Sequence, residues 1–224
     1  SRSSSYIGTL IDDLVTKDIQ DPYRMLTSRS EYRLLLRQDN ADTRLTPIGK
    51  KIGLVDDTQY KVFTDKQEAI EREILRIKEA KISATDEVNS VLAKVGQSID
   101  RGIKISELLK RPDIDYTIIK EIDEETRNLN IPFDVSEQVE ILTKYDGYLK
   151  RQEQQVKEAG KLDKFKIPDN IDYSKIEHIS SETKDKLSKI RPKTLAQASR
   201  IGGVKPADIS ILMVMLEKHQ IAKL

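Results

Sequence analysis

Between Asp57 and Ile82 the apolar residues Ile70, Ile74 and Ile77 recur at the spacing of one helix face. Glu71, Arg72, Glu73, Arg76, Lys78 and Glu79 fill the other faces with charges that pair three and four residues apart. A strand would place its apolar residues two apart, so this stretch predicts a long, solvated helix lying on a core. The same pattern continues with local punctuation. Thr85 is placed to cap a helix carrying Val88, Val91, Leu92 and Val95, which Gly96 ends. Ser106 to Leu109 and Asp115-Tyr116 open two short helices around the breaker Pro112, and Pro132 is the next strong stop.

The longest helical run extends from Ser136 to about Lys164, with Val139, Leu142, Tyr145, Leu149 and Val156 near helical spacing. Ile167-Pro168-Asp169 ends it. Three further helices are predicted: Ser181 to Ile190, stopped by Arg191-Pro192; Thr194 to Ile201; and Pro206 to about Lys218, with Gly202-Gly203 making the last corner. Residues 6–16 match a helix only in part and read like the end of an upstream domain. No stretch alternates as a strand should, and no fixed-period repeat is present. The expected fold is all-α, an irregular bundle of about eight to ten helices without significant sheet. Its expected parts are 1–56, a junction carrying an arginine-rich helix, then a helical subdomain over 57–135 and a C-terminal one over 136–224.

Composition narrows the chemistry. Of 224 residues, 34% are charged and 37% hydrophobic, with a mean hydropathy of −0.55 and a net charge of +1. Any attraction to a polyanion must therefore come from local patches. The absence of cysteine removes disulfides, thiolate metal sites and cysteine nucleophiles. His178 and His219 stand far apart in polar surroundings and are expected at the surface. No apolar run approaches a membrane span of roughly 18 residues. Ser1 to Ser5 lack the apolar stretch of a secretory signal, so a soluble, cytoplasmic protein is expected. The nine glycines form no G-x-G-x-x-G, and G-x-S-x-G, H-E-x-x-H and EF-hand patterns are missing. No catalytic, cofactor-binding or metal-ligating residue is expected.

Two segments stand out. Pro22 to Asp42 concentrates Arg24, Arg29, Arg33 and Arg37, with Arg44 just beyond. Ser28 and Glu31 fit a capping box, so a helix is predicted to begin near Arg29 and to place Arg29, Arg33 and Arg37 along one face, beside an apolar stripe of Tyr32, Leu35 and Leu36. Such a ladder can hold phosphates. With Asp39 and Asp42 beside it, the same row also fits a surface ion-pair network. Next, Thr46-Pro47 predicts a short helix over Ile48 and Ile52, closed by Gly53. In the second segment, Thr194 to Leu216, two helices around a glycine corner have the outline of a helix-turn-helix. Ile209, Ile211, Leu212, Met213, Val214, Met215 and Leu216 nevertheless make the second helix apolar almost all round, whereas a base-reading helix needs exposed polar side chains. It is expected to bury Leu212 against Leu187, Ile190, Leu195 and Ile201 and to turn Met213 outward.

The strings Tyr6-Ile-Gly-Thr-Leu-Ile-Asp-Asp-Leu-Val-Thr, Pro22 to Leu45, Glu137-Gln-Val-Glu-Ile, Lys144-Tyr-Asp-Gly-Tyr-Leu-Lys-Arg-Gln and Leu187 to Leu212 strongly resemble the C-terminal third of the MnmG (GidA) family. The match spans nearly the whole chain and is weaker over 57–130. The resemblance implies a flavoprotein that, with the GTPase MnmE, installs a carboxymethylaminomethyl or aminomethyl group on the wobble uridine of certain tRNAs, using FAD, NADH and methylenetetrahydrofolate. It implies a parent homodimer within a heterotetramer, whose glycine fingerprint and catalytic cysteines lie upstream of this chain. It further implies that Arg24, Arg29, Arg33, Arg37 and Arg44 contact tRNA, and that Ile209, Met213, Met215 and Leu216 face MnmE. A stand-alone helical scaffold and a DNA-binding helix-turn-helix protein are the alternative readings.

Overall fold

The computed structural model describes the backbone of residues 1–221 other than 18 and 20, with side chains as far as residue 217. Eleven α-helices are formed among the described residues: α1 (Tyr6–Thr16), α2 (Ala41–Lys51), α3 (Asp57–Glu79), α4 (Asp86–Ala93), α5 (Ile105–Leu109), α6 (Tyr116–Ile122), α7 (Glu124–Asn128), α8 (Phe133–Lys164), α9 (Ser181–Ile190), α10 (Leu195–Arg200) and α11 (Pro206–Ile221). The fold is all-α. The one ladder among the described residues is two residues a side, β1 (Lys81–Ile82) antiparallel to β2 (Ile103–Lys104), with Lys81 opposite Lys104. Relative to the sequence expectation, α1 and α7 are additional helices, and the arginine-rich segment is not one. The chain divides into two compact units, one of residues 1–36 with 150–224, the other of 37–149.

In the unit of residues 37–149, Ile77, Leu92, Ile105, Leu108, Leu109, Ile114, Ile119 and Val139 are fully buried. Local signals set the helix ends. Asp56 and Gln59 form a reciprocal capping box on α3, Thr85 caps α4 and Asp115 caps α6. A polar hub lies within this core. Tyr116 Oη donates to Glu73 Oε1 at 2.6 Å, and Arg76 donates from Nε and Nη2 to the same carboxylate at 2.8 Å each. Burial, reinforced by the Glu73 carboxylate, pushes the Tyr116 hydroxyl well above the usual tyrosine range. The expected start of α2 at Thr46-Pro47 is corrected. The helix begins at Ala41 and carries Pro47 inside it. Its first turn is held from outside, by Lys66 Nζ donating to Asp42 Oδ2 at 3.0 Å, and Asp42 also suits the positive end of the helix dipole.

In the other unit, Ile167, Tyr173, Ile176, Leu187, Leu195, Ala198, Ile201, Ile209 and Leu212 form one core. Ser5, Ser180 and Thr194 cap α1, α9 and α10. The α10–α11 corner needs glycine. Gly203 has φ +94, and a Cβ there would lie 2.2 Å from Lys186 Nζ and 2.6 Å from Glu182 Oε1. Asp208, buried, accepts from Lys205 N at 3.0 Å and from Thr183 Oγ1 at 2.8 Å, which ties α11 to α9. No helix among the described residues is long and apolar enough to cross a membrane.

Candidate nucleic-acid interface

The arginine-rich segment is not a helix. It forms a 3-10 turn at Thr27–Arg29 followed by a run of turns over 31–35. Two tertiary contacts displace the expected capping box. Glu31, whose side chain was expected to reach back to the helix start, is instead gripped by Arg2, with Nε and Nη2 each 2.8 Å from a carboxylate oxygen. The bond that a helix would make from Leu35 N–H to Glu31 C=O is opened by Gln152 of α8. Its amide oxygen accepts from Leu35 N at 3.1 Å and its amide nitrogen donates to Glu31 O at 3.0 Å. A side chain inserted into the backbone ladder breaks a helix at that point. Tyr32 and Leu36 are buried all the same, so the apolar stripe seats the segment as expected.

Arg2 is the centre of this site. Besides Glu31 it donates to Asp13 Oδ1 at 2.6 Å, Asp12 Oδ2 at 3.1 Å and the carbonyl oxygen of Arg29 at 3.0 Å. The Glu31 hydrogen bond outweighs burial and, with Asp13, raises the guanidinium pKa further, fixing its charge. Burial alone would raise the Asp13 carboxyl. Hydrogen bonds from Lys17, Arg2 and Tyr23 outweigh it and hold Asp13 below the usual carboxylate range, and Arg2 does the same for Glu31. Arg200 on α10 closes the cluster by donating to Asp12 Oδ1 at 2.8 Å. Sequence reasoning missed Arg2, Asp13 and Arg200. The available signal was the Asp12-Asp13 pair inside the otherwise apolar α1, where a buried carboxylate demands a cation.

The five arginines named from the sequence do not share a helix face. Arg24, Arg29 and Arg33 belong to the unit of residues 1–36 and 150–224, Arg37 and Arg44 to the other. Arg29 stacks on Tyr23, 4.6 Å from the ring centroid, and stands 3.7 Å from Asp13. Arg37 makes a bidentate pair with Asp39 at 2.9 and 3.0 Å. Asp39, which burial alone would raise, is thereby held below its ordinary pKa. Arg44 donates to Asn40 Oδ1 at 3.0 Å and to the Arg37 carbonyl at 3.2 Å. Arg24 and Arg33 are exposed and make no ion pair among the described residues.

On α11 the expected inward residue, Leu212, is fully buried. Ile209 and Leu216, named for partner contact, also lie in the core, because they share its face at three- and four-residue spacing. Met213 is not turned outward. It is half-buried and packs on the core with Met215, and Val214 is the exposed residue, at 51%. His178 is exposed beside Glu177, and the side chain of His219 lies outside the described residues.

These features define a class of protein: an all-α, charge-rich module that offers exposed arginines. Two family models match it. The "tRNA modifying enzyme MnmG/GidA C-terminal helical domain" matches residues 57–153, and the "tRNA modifying enzyme MnmG/GidA C-terminal helical bundle" matches residues 155–223. Among similar proteins, the tRNA uridine 5-carboxymethylaminomethyl modification enzyme MnmG of Caldicellulosiruptor saccharolyticus is 53% identical over 97% of this chain and 34% of its own length. The Bacillus subtilis protein of the same description is 49% identical over 100% of this chain and 36% of its own length. The crystal structure of Aquifex aeolicus GidA superimposes with a TM-score of 0.70 at 37% identity, covering 96% of this chain and 33% of that one. The chain belongs to the MnmG/GidA family, as its C-terminal helical portion, and spans about a third of the length of the relatives it matches.

Proposed function

We propose that this chain is the tRNA- and partner-binding part of an enzyme that modifies the wobble uridine of certain tRNAs. Identity of 49–53% across the chain to enzymes described as tRNA uridine 5-carboxymethylaminomethyl modification enzymes carries the reading. In this role Arg24 and Arg33 meet tRNA phosphates, because they are exposed and make no ion pair among the described residues. Arg29, Arg37 and Arg44, which are engaged within the protein, shape the segment instead. The parent enzyme is a homodimer in the cytoplasm that assembles with the GTPase MnmE. The exposed Val214, with Met213 and Met215 beside it, offers the adaptable apolar contact such a partner uses.

FAD and NADH belong to the parent's chemistry, and the residues present here do not fit either one. A dinucleotide cradle is a glycine-rich turn between a strand and a helix. The glycines with positive φ in this chain, Gly53, Gly96 and Gly203, stand instead where helices end. The chain therefore contributes binding and orientation to the reaction.

The test is tRNA binding by the full-length enzyme across a salt series. Each phosphate left without its arginine should reduce the slope of log affinity against log salt by about one. Arg24→Ala with Arg33→Ala should lower both affinity and slope, while the melting temperature holds. An unchanged slope would make the arginine segment purely structural.

A further inference from the structure

An open groove of about 810 Å³ runs between α1 and α8 in the unit of residues 1–36 and 150–224. One wall is Ile7, Ile11 and Val15 of α1, and the other is Val156, Ala159 and Gly160 of α8. The α1 residues recur every four positions, and the α8 residues are small at three- and four-residue spacing. A Cβ at Gly160 would meet nothing within 4 Å. The rim is polar, formed by the Arg2–Glu31 and Arg200–Asp12 pairs. Such a trough fits the apolar face of a helix, which needs anchors at i, i+3 and i+4. It is open now. Ile7 is 72% exposed and Ile11 53%, and α1 carries four of the seven exposed large apolar side chains described in this unit.

We propose that this groove seats a helix from the polypeptide upstream of Ser1. The relatives are about three times as long as this chain. The two models of the family's C-terminal region begin at residue 57 and leave α1 outside both, so α1 belongs with the remainder of the family's polypeptide. Ser1 itself lines the groove, so a segment joined there would start at its mouth. Tethering of this kind gives an effective concentration in the millimolar range for short connections, far above what a second copy reaches in solution.

The test places one thiol in this cysteine-free chain. Ile11→Cys is made in the 224-residue chain and in the full-length protein, and maleimide labelling of that peptide is followed by mass spectrometry against the denatured protein. Labelling in the full-length protein should be slower by at least about tenfold, as expected for a buried site that reacts only on local opening. Hydrogen exchange of the α1 amides in the two unsubstituted proteins should show the same direction. Equal labelling and equal exchange in the two proteins would overturn the proposal. Protection in the 224-residue chain that rises with its concentration would also overturn it and assign the groove to a second copy.

Discussion

Arg2 and Arg76 are both guanidinium groups held by buried carboxylates, yet they are built into the molecule in different ways. Arg76 shares α3 with its main partner Glu73, three residues before it, so the pair is set by helix geometry before anything else packs. Arg2 lies outside any helix. All its partners are tertiary, from Thr9 to Glu31, and it joins α1 to the arginine-rich turn. Arg76 adds α7 to a pair that its own helix has already set, through Thr126 Oγ1 at 2.5 Å and Asp123 Oδ2 at 3.4 Å, whereas Arg2 has no such local pair and holds α1 and the turn together by tertiary bonds alone.

The largest expected effect separates the two directly. Arg2→Ala leaves Asp13 buried with one cation fewer and frees the turn over 27–36, and it should cost about 3–5 kcal/mol in urea unfolding. Hydrogen exchange across residues 27–36 should rise with it. A change under about 1 kcal/mol would erase the distinction between the two cations. Arg76→Ala should cost about 2 kcal/mol with α3 intact by helix content, since Tyr116 still serves Glu73. Tyr116→Phe removes one hydrogen bond to a buried carboxylate and should cost about 1–2 kcal/mol.

The pH dependence sharpens the contrast further. Asp13 and Glu31 are held below their ordinary values, so their contribution is complete above about pH 5 and fades as pH falls through their folded-state values. The Tyr116 hydroxyl is raised, so its contribution holds below about pH 10 and fades as pH climbs past it. Arg2→Ala should flatten the acid side of the stability profile and Tyr116→Phe the alkaline side. A profile unchanged by both would mean that neither hub titrates with folding.

The same contrast explains what was legible in the sequence. Helices α4, α6 and α10 were readable because Thr85, Asp115 and Thr194 are caps acting within four residues. Helix α3 was readable because Ile70, Ile74 and Ile77 share a face, and α9 because Arg191-Pro192 stops it; the caps Asp56 and Ser180 on α3 and α9 came from the structure. The arginine segment carried an equally good local signal in Ser28 and Glu31. It failed because Arg2, 29 residues away, and Gln152, more than a hundred away, took the groups that signal needed. Pro47 misled for a related reason, as Lys66 holds a helical turn ahead of it. On α11 the composition revealed the need for burial, but helical phase decided that Val214 rather than Met213 is exposed. Of the five arginines, composition located the cluster, and only the fold distinguished Arg24 and Arg33, exposed and without an ion pair among the described residues, from the three engaged within the protein.

The division of the chain into a continuous stretch, 37–149, and a unit assembled from both of its flanks governs the order in which the molecule can be made. On the ribosome the continuous stretch is complete as soon as it emerges. Residues 1–36 must wait for 150–224, because the Arg200 that meets Asp12 is 188 residues downstream. At ordinary elongation rates that is a delay on the order of ten seconds. During it the turn over 27–36 lacks Gln152 and Asp12 lacks Arg200, so residues 1–36 are expected to be open to a chaperone that captures nascent chains.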